Sequence, residues 1–203
     1  VFFSTLVAYP LAYIIAFRVP TQWQALVLLL TVVPFWTSYV VRSYSWLLVL
    51  AKNGVINQTL QGAGLIGDPI TSANTRFATV LAFVHFFVMV STLTIYASLR
   101  QIPRNLPLAA RDLGASPWHV FTRITLPLSL PGVTVGAFLT FVLAIGDYIT
   151  PQIVGGGNEL LLPQLLMLQV SRRGDFPFAA AMALVLLVIV AAVYVVSAKN
   201  LTL

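Results

Sequence analysis

The sequence contains no cysteine and few charged residues among its 203 positions. The missing cysteines exclude disulfides, thiolate catalysis and cysteine-bound metal sites. Charged residues make up 8% of the chain and hydrophobic residues 59%, with a mean hydropathy of +0.95, whereas a soluble domain is about 25% charged. So little charge cannot cover a water-exposed surface, and the composition therefore favours a membrane protein in contact with the lipid bilayer.

The 11 Lys and Arg residues exceed the five acidic residues and give a net charge of +6, but they form no basic run. Nucleic-acid binding requires a clustered basic face, so we expect no nucleic-acid partner. Most basic residues instead flank apolar stretches, as is usual in membrane proteins.

Five apolar stretches reach or approach the length of about 20 residues that a membrane helix needs. They cover residues 1–17, 25–50, 77–99, 130–149 and 178–197. Pro10 and Pro34 fall in such stretches, where neighbouring helices can satisfy the freed carbonyls. The pattern predicts an all-α, polytopic transmembrane bundle over residues 1–203 as a single domain. Because the start lacks Met and a basic segment, we expect an N-terminally truncated chain rather than a signal peptide.

The basic residues predict the orientation. With five spans, one set of loops holds six basic residues and the other set holds four. The first set comprises Arg18, Arg100, Arg104, Arg111, Arg123 and Lys199. The second comprises Lys52, Arg76, Arg172 and Arg173, and its loops also contain the acidic residues Asp68, Glu159 and Asp175. Lys and Arg concentrate in cytoplasmic loops, so residues 100–129 and the C-terminus are predicted to be cytoplasmic.

Two loops of the opposite side also carry structural signals. Residues 53–67 predict a short helix bounded by glycines. Residues 155–157 are three glycines that predict a turn, and residues 160–170 predict a short interfacial or re-entrant helix.

The most informative segment is residues 106–132, LPLAARDLGASPWHVFTRITLPLSLPG. Leu108 to Leu113 form a helix-favouring run, and Gly114 follows where a helix end favours positive φ. Ser116 and Pro117 then suit the cap and first turn of a second helix, which we expect Pro127 and Pro131 to end. The segment is predicted to be a helix, a glycine bend and a second short helix.

Such a helical pair at a membrane surface could form a docking site for another protein. Arg111, Asp112 and Arg123 could then orient the bound protein. The alternative is an amphipathic loop resting on lipid headgroups. Physical reasoning on this segment alone leaves both interpretations open.

The segment resembles the "EAA" loop of ABC-transporter importer permeases: Glu-Ala-Ala, three residues, Gly, nine residues, Ile, one residue, Leu-Pro. Here Ala109-Ala110 are followed after three residues by Gly114, and nine residues later by Ile124, Thr125 and Leu126-Pro127. Leu108 replaces the usual Glu. The stretches VPFWTSYVVRSYSW, AARDLGAS, GDYITPQIVGGG and DFPFAAA are also similar to spermidine/putrescine-type permeases.

The resemblance implies a type I importer permease of the bacterial inner membrane, with six spans in the complete subunit and a coupling loop at residues 106–127. The implied ATPase-coupling residues are Ala109, Ala110, Arg111, Asp112, Gly114, Ala115, Ser116, Pro117, Ile124, Leu126 and Pro127. It also implies two ATP-binding subunits that hold ATP and Mg²⁺, a second permease chain and an extracytoplasmic substrate-binding protein. This chain would then be a non-catalytic subunit without a cofactor of its own.

Asp147 and Arg42 are ionisable residues near the ends of spans, and such residues usually have a function. Asp147 could line a pathway for a polycation, cap a helix at the interface, or pair with Arg42. Arg42 could pair, snorkel to the interface, or face the pathway.

Trp36, Tyr39, Tyr44 and Trp46 cluster in sequence around Arg42, where they could bind ammonium groups by cation–π attraction or form an interfacial aromatic belt. The substrate-path candidates are Trp36, Tyr39, Arg42, Tyr44, Asp147 and Tyr148.

No catalytic constellation or phosphate-cradling motif is evident. His85 is predicted to hydrogen-bond to a neighbouring helix and His119 to be a docking or solvent residue, so we expect no metal site. An intramembrane enzyme or scaffold without an ATPase is the alternative from another class. An importer of iron, phosphonate, opine or amino-acid cargo is the alternative within the class, since the loop contacts the ATPase rather than the cargo.

Overall fold

The computed structural model describes residues 1–103, 105–156 and 160–198, and no residue within these ranges lies in a β-strand. The α-helices of these ranges are α1 (Phe2–Phe17), α2 (Thr21–Val32), α3 (Tyr39–Leu50), α4 (Val55–Gly62), α5 (Arg76–Gln101), α6 (Asn105–Asp112), α7 (Pro117–Val120), α8 (Leu126–Gly146), α9 (Ile149–Val154), α10 (Leu162–Leu168) and α11 (Phe176–Ala198). The predicted all-α class is confirmed. Arg104, Gly157, Glu159 and Lys199, which entered the sequence argument, lie outside the described residues.

Three helices of the described chain are long and apolar enough to cross a bilayer: Arg76–Gln101, Pro117–Gly146 and Phe176–Ala198. At about 1.5 Å per residue, each exceeds the hydrocarbon thickness of about 30 Å. They confirm the third, fourth and fifth predicted spans. The first predicted span corresponds to α1, an apolar helix of 16 residues that is shorter than a full span requires.

The second predicted span, residues 25–50, is interrupted at Pro34, and the structure shows a broken pair of helices there rather than a continuous one. The chain bends by 90° between the helical stretches Thr21–Trp36 and Tyr39–Gly62. Pro34 has no N–H to continue the α-helical ladder, and the backbone tightens into a 3₁₀ turn at Val33–Trp36 before Ser38 becomes extended. The described chain therefore has three spans, or four if the bent pair counts as one.

The chain divides into two compact units. Unit 1 contains Val1–Pro34, Phe87–Val142 and the residues from Val190 onward. Unit 2 contains Phe35–Phe86 and Leu143–Ile189.

The core of unit 1 is a close contact between α1 and α5. Ala8, Ala12 and Ala16 recur every four residues on α1 and are buried together with Ile95 and Leu99 of α5. Small side chains let two apolar helices approach closely, which is the usual basis of helix association in membranes.

A second seam of unit 1 joins α5 to α8 through Gly132 and Gly136, which form a G-x-x-x-G pattern. A Cβ atom at Gly132 would lie 2.6 Å from the carbonyl oxygen of Thr94, and one at Gly136 would overlap the Thr94 hydroxyl. Beside them, the buried hydroxyls of Ser91 and Thr140 lie 3.0 Å apart and are hydrogen-bonded. The two glycines therefore set the spacing of these helices.

Unit 2 is held together by the packing of α3 against α4 and α9, with Leu50, Ala78, Ala82 and Val154 buried. The predicted short helices at residues 53–67 and 160–170 are confirmed as α4 and α10. Asn57 of α4 is 2% exposed, and its side-chain amide bonds the carbonyls of Ala51 and Ile70 at 3.0 and 2.9 Å.

The seam of unit 1 makes a testable prediction. Gly136→Val should lower the stability of the detergent-purified protein by about 1–3 kcal/mol, the usual cost of overpacking. Gly146→Val is the matched control, because Gly146 ends the same helix with open space around its Cβ position. Thermal unfolding checks this, and equal melting temperatures for the two variants would show that the seam tolerates a larger spacing.

Candidate functional site

The coupling segment, residues 106–127, folds as the sequence predicts up to its second helix. α6 ends with Gly114 at φ +85°, and the N–H of Ala115 bonds the carbonyl of Ala110 at 3.0 Å while that of Gly114 bonds Arg111 at 2.9 Å. These two bonds define a Schellman motif, which needs a residue in the left-handed conformation at the bend. The predicted role of Gly114 in the backbone is confirmed.

Ser116 opens the second helix. Its hydroxyl accepts a hydrogen bond from the backbone N–H of His119 at 3.3 Å, and Pro117 occupies the first turn. The predicted cap is therefore present, and α7 begins at Pro117, three residues after Gly114. His119 is exposed, and its ring nitrogen lies 3.3 Å from the Ser116 hydroxyl.

Pro127 and Pro131 do not end this second helix, and that prediction was wrong. α7 passes through a π-helical turn at Phe121–Thr125 directly into α8, so that residues Pro117–Gly146 form one helix. In the turn, the N–H of Leu126 bonds the carbonyl of Phe121, one residue beyond the α-helical partner. This wider turn lets the helix continue where Pro127 supplies no N–H. The part of the coupling segment from Pro117 to Pro127 is thus the first part of this membrane-length helix.

Aromatic side chains fix the coupling segment to α1. The ring of Phe121 meets those of Tyr9 and Tyr13 edge to face, with centroids 5.9 and 5.8 Å apart, and Trp118 stacks on Phe121 at 5.8 Å. The hydroxyl of Tyr9 bonds that of Ser129 at 2.9 Å. Edge-to-face aromatic pairs add stability beyond the area they bury, so the segment has a fixed position within unit 1.

The outer face of the coupling segment is apolar and unusually exposed. Leu113 is 89% exposed and Trp118 is 70% exposed. Arg111, Asp112 and Arg123 surround them and are also exposed, with no ion pair to another described residue. Large apolar side chains rimmed by charges are typical of a protein docking surface.

The structure places the remaining coupling residues along this segment: Ala109 and Ala110 on α6, Ala115 in the bend, Ile124 in the π turn, and Leu126 and Pro127 at the start of α8. No observation of the structure tests the role of these residues in coupling, which stays a prediction.

A second cluster forms within unit 2, where two helices are interrupted. α3 begins at Tyr39 after the 90° bend, and α8 ends one residue before Asp147. The hydroxyl of Tyr39 donates to the carboxylate of Asp147 and also contacts the hydroxyl of Thr150. Interrupted helices expose polar backbone, which is tolerated at membrane depth where it is buried in protein or lines a cavity.

Asp147 caps the short helix α9. Its Oδ1 accepts hydrogen bonds from the backbone N–H groups of Ile149 at 2.9 Å and Thr150 at 3.1 Å, while Oδ2 accepts from Tyr39. Of the roles considered from the sequence, capping is the one this geometry shows. A role for Asp147 in a substrate pathway stays a prediction.

Arg42 stacks on aromatic rings of the same cluster. Its guanidinium carbon lies 4.4 Å from the ring centre of Phe86 and 5.5 Å from that of Tyr39. Phe86 in turn stacks on Phe35 at 5.2 Å. These separations are within the range of cation–π attraction, so the cation on these aromatic rings is the guanidinium of Arg42 itself.

The aromatic residues near Arg42 in sequence have different surroundings. Trp46 donates its ring N–H to Nδ1 of His85 at 3.1 Å, which confirms that His85 bonds to a neighbouring helix. Trp36, Tyr44 and Tyr148 are 78%, 53% and 40% exposed.

Sequence reasoning did not identify Phe86 and Thr150. The preference for Asp at helix N-termini signals Asp147 itself, but the contact of the Thr150 hydroxyl with Tyr39 has no local signal. Phe86 carries no such signal, since its role depends on a contact with residues far away in the chain.

Comparison with known proteins identifies the family. Residues 6–199 match the family described as the binding-protein-dependent transport system inner membrane component. The spermidine/putrescine transport system permease protein PotB of Escherichia coli K12 is 33% identical over 181 residues, which cover 89% of this chain. The inner membrane ABC transporter permease protein YdcU of the same strain is 32% identical over 201 residues and 93% of this chain.

Among solved structures, a bacterial ABC transporter involved in the import of the acidic polysaccharide alginate matches with a TM-score of 0.73. It is 20% identical and covers 95% of this chain and 72% of its own, so it supports the fold. This chain spans 66% of the length of PotB and 63% of that of YdcU. By the match over nearly all of its length, the chain belongs to the binding-protein-dependent transport system inner membrane component family.

Proposed function

We propose that this chain forms part of the translocation pathway of an ATP-driven importer of polyamines such as spermidine and putrescine. Two ATP-binding subunits, a second permease chain and an extracytoplasmic binding protein would complete the importer, and ATP hydrolysis would occur on the ATP-binding subunits. The observation that carries the proposal is the unbroken helix Pro117–Gly146, because it joins the coupling segment to a membrane span without a flexible link.

In this mechanism the ATP-binding subunits bind the exposed face around Leu113 and Trp118. When ATP binding brings these subunits together, the coupling segment moves with them, and the helix carries the displacement toward Gly146. The spans would then alternate between two packings, each stabilised by a different state of the partner. The edge-to-face contacts of Phe121 with Tyr9 and Tyr13 would transmit the same displacement to α1.

The basic residues support a cytoplasmic position for the coupling segment. Arg18, Arg100, Arg111 and Arg123 lie in or beside it among the described residues and follow or precede apolar helices. Lys and Arg near the ends of spans favour the cytoplasmic side of the membrane, which is where ATP is available.

The polar and aromatic cluster of unit 2 supports a cationic cargo. Asp147 supplies a carboxylate beside aromatic rings, and the guanidinium of Arg42 on Phe86 is an example of a cation bound there. The names of related permeases point to the same cargo. Arg42 also brings positive charge to the cluster, which is the feature that an anionic cargo would use.

The first prediction concerns the glycine bend. Gly114→Val should reduce transport by about tenfold, because a β-branched residue in the left-handed region costs about 1–2 kcal/mol or more, while ATP hydrolysis continues. The space around Gly114 is open, so any effect reflects backbone conformation rather than a clash.

Gly114→Asn is the matched control for the bend, since Asn tolerates the left-handed conformation, and it should keep most of the transport. Uptake of radiolabelled spermidine and ATP hydrolysis by the reconstituted complex measure both variants. Transport by Gly114→Val at the normal rate would count against the coupling role.

The second prediction concerns the cargo. Asp147→Asn keeps an oxygen that can cap α9 but removes the charge, and we expect about tenfold weaker stimulation of ATP hydrolysis by polyamines. Tyr39→Phe removes one hydrogen bond to the carboxylate and keeps its charge, so its effect should be smaller.

ATP hydrolysis by the reconstituted complex, measured across polyamines, amino acids, phosphonates and iron chelates, checks this. Stimulation by polyamines that is unchanged in Asp147→Asn would leave Asp147 as a cap only. Stimulation by another cargo class would replace the polyamine proposal, and failure to co-purify with an ATP-hydrolysing subunit would favour the scaffold or enzyme alternative.

A further inference from the structure

A cleft of about 670 Å³ opens within unit 1 between the end of α1, the turn into α2, and the coupling segment. Its volume is within the range of small-molecule sites, about 300–1,000 Å³. The proposed contact with the ATP-binding subunits uses the outer face around Leu113 and Trp118, and neither residue lines the cleft. Arg111 and Pro117 of the coupling segment do line it, so the cleft borders the proposed contact without containing its two large apolar side chains.

The charge of the cleft has one sign. Arg18 and Arg111 both line it, and none of the described residues that line it is acidic. Neither arginine makes an ion pair with another described residue. Leu108 lines the same cleft and is apolar, so it brings no negative charge near the two arginines.

The wall beside Arg18 is held in place by a buried amide. Gln24 is 4% exposed and donates to the carbonyls of Ala16 at 3.3 Å and Val19 at 3.0 Å. Its oxygen accepts from the hydroxyl of Tyr96 at 3.1 Å. These bonds fix the turn between α1 and α2, so the backbone of Arg18 has a defined position and less entropy is lost when its side chain binds a ligand.

The remaining lining is mostly apolar, and it includes Phe17, Leu108 and Phe121. Arg18 follows directly after α1, an apolar helix whose residue Phe17 is itself 38% exposed. A free phosphate would be bound by the arginines alone, whereas an amphiphile would use both surfaces. Basic pockets between membrane helices on the cytoplasmic side are suited to anionic lipid headgroups.

We propose that this cleft binds the phosphate headgroup of an anionic phospholipid, with Arg18 and Arg111 contacting the phosphate and the apolar wall contacting the glycerol end of the acyl chains. The lipid would seat the coupling segment against α1. The inference rests on the proposed function in one respect, because the cytoplasmic position of the coupling segment determines which leaflet supplies the lipid.

Native mass spectrometry of the assembled, detergent-purified transporter tests the proposal, with phosphatidylglycerol and phosphatidylcholine of identical acyl chains as probes. The wild type should retain phosphatidylglycerol preferentially. Arg18→Gln should weaken this retention about tenfold, the usual effect of losing one charge-assisted hydrogen bond, and should leave phosphatidylcholine unchanged. Arg100→Gln is the matched control, since Arg100 is an exposed arginine at the end of α5 that does not line the cleft.

Leu108→Glu provides a second variant that adds a carboxylate to the cleft, and it should abolish the preference for phosphatidylglycerol. Equal retention of the two lipids by the wild type would overturn the proposal, and so would equal losses in Arg18→Gln and Arg100→Gln. Displacement of phosphatidylglycerol by millimolar inorganic phosphate would also overturn it, because the cleft would then be a site for a free anion. These measurements need neither cargo nor ATP, so a different cargo or a coupling segment that does not drive transport would not change them.

Discussion

One continuous helix, from Pro117 to Gly146, is the constraint on which the account depends. Pro127 and Pro131 supply no N–H to its hydrogen-bond ladder, yet the helix passes through both. In the π turn at Phe121–Thr125, the N–H of Leu126 pairs with the carbonyl of Phe121, which shifts the ladder by one residue just before Pro127. Because the helix is unbroken, a force applied at the coupling segment would reach its membrane-length part without passing through a flexible joint.

The other features of unit 1 make sense as supports for this helix. The Schellman motif at Gly114 fixes the angle at which α6 leaves it, and Phe121 holds it to α1 through two aromatic contacts. Gly132 and Gly136 bring it close to α5: a Cβ atom at Gly132 would overlap the backbone of α5 at Thr94, and one at Gly136 would overlap the Thr94 hydroxyl. Packing of this density transmits displacements rather than absorbing them.

Local features were predictable from the sequence, whereas features that depend on distant contacts were not. Hydropathy predicted five apolar stretches, three of which are single membrane-length helices among the described residues. Gly114 and Ser116 predicted a bend and a cap, because each is determined by the chemistry of one short stretch. The 90° bend after Pro34 and the passage of the helix through Pro127 were missed, since proline either breaks or continues a membrane helix according to its neighbours. The contact of Tyr39 with Asp147 joins residues 108 positions apart, and no local pattern encodes it.

The most direct test of the account measures whether Pro117–Gly146 stays one rigid body while the transporter works. The chain has no cysteine, so in a transporter assembled with cysteine-free partner subunits, spin labels at His119→Cys and Leu139→Cys report only this helix, over about 30 Å at about 1.5 Å per residue. Electron–electron resonance should give one narrow distance distribution that is the same without nucleotide, with a non-hydrolysable ATP analogue and with trapped ADP–vanadate. A distribution that broadens or shifts when nucleotide binds would show that the π turn is a hinge, and would contradict the account.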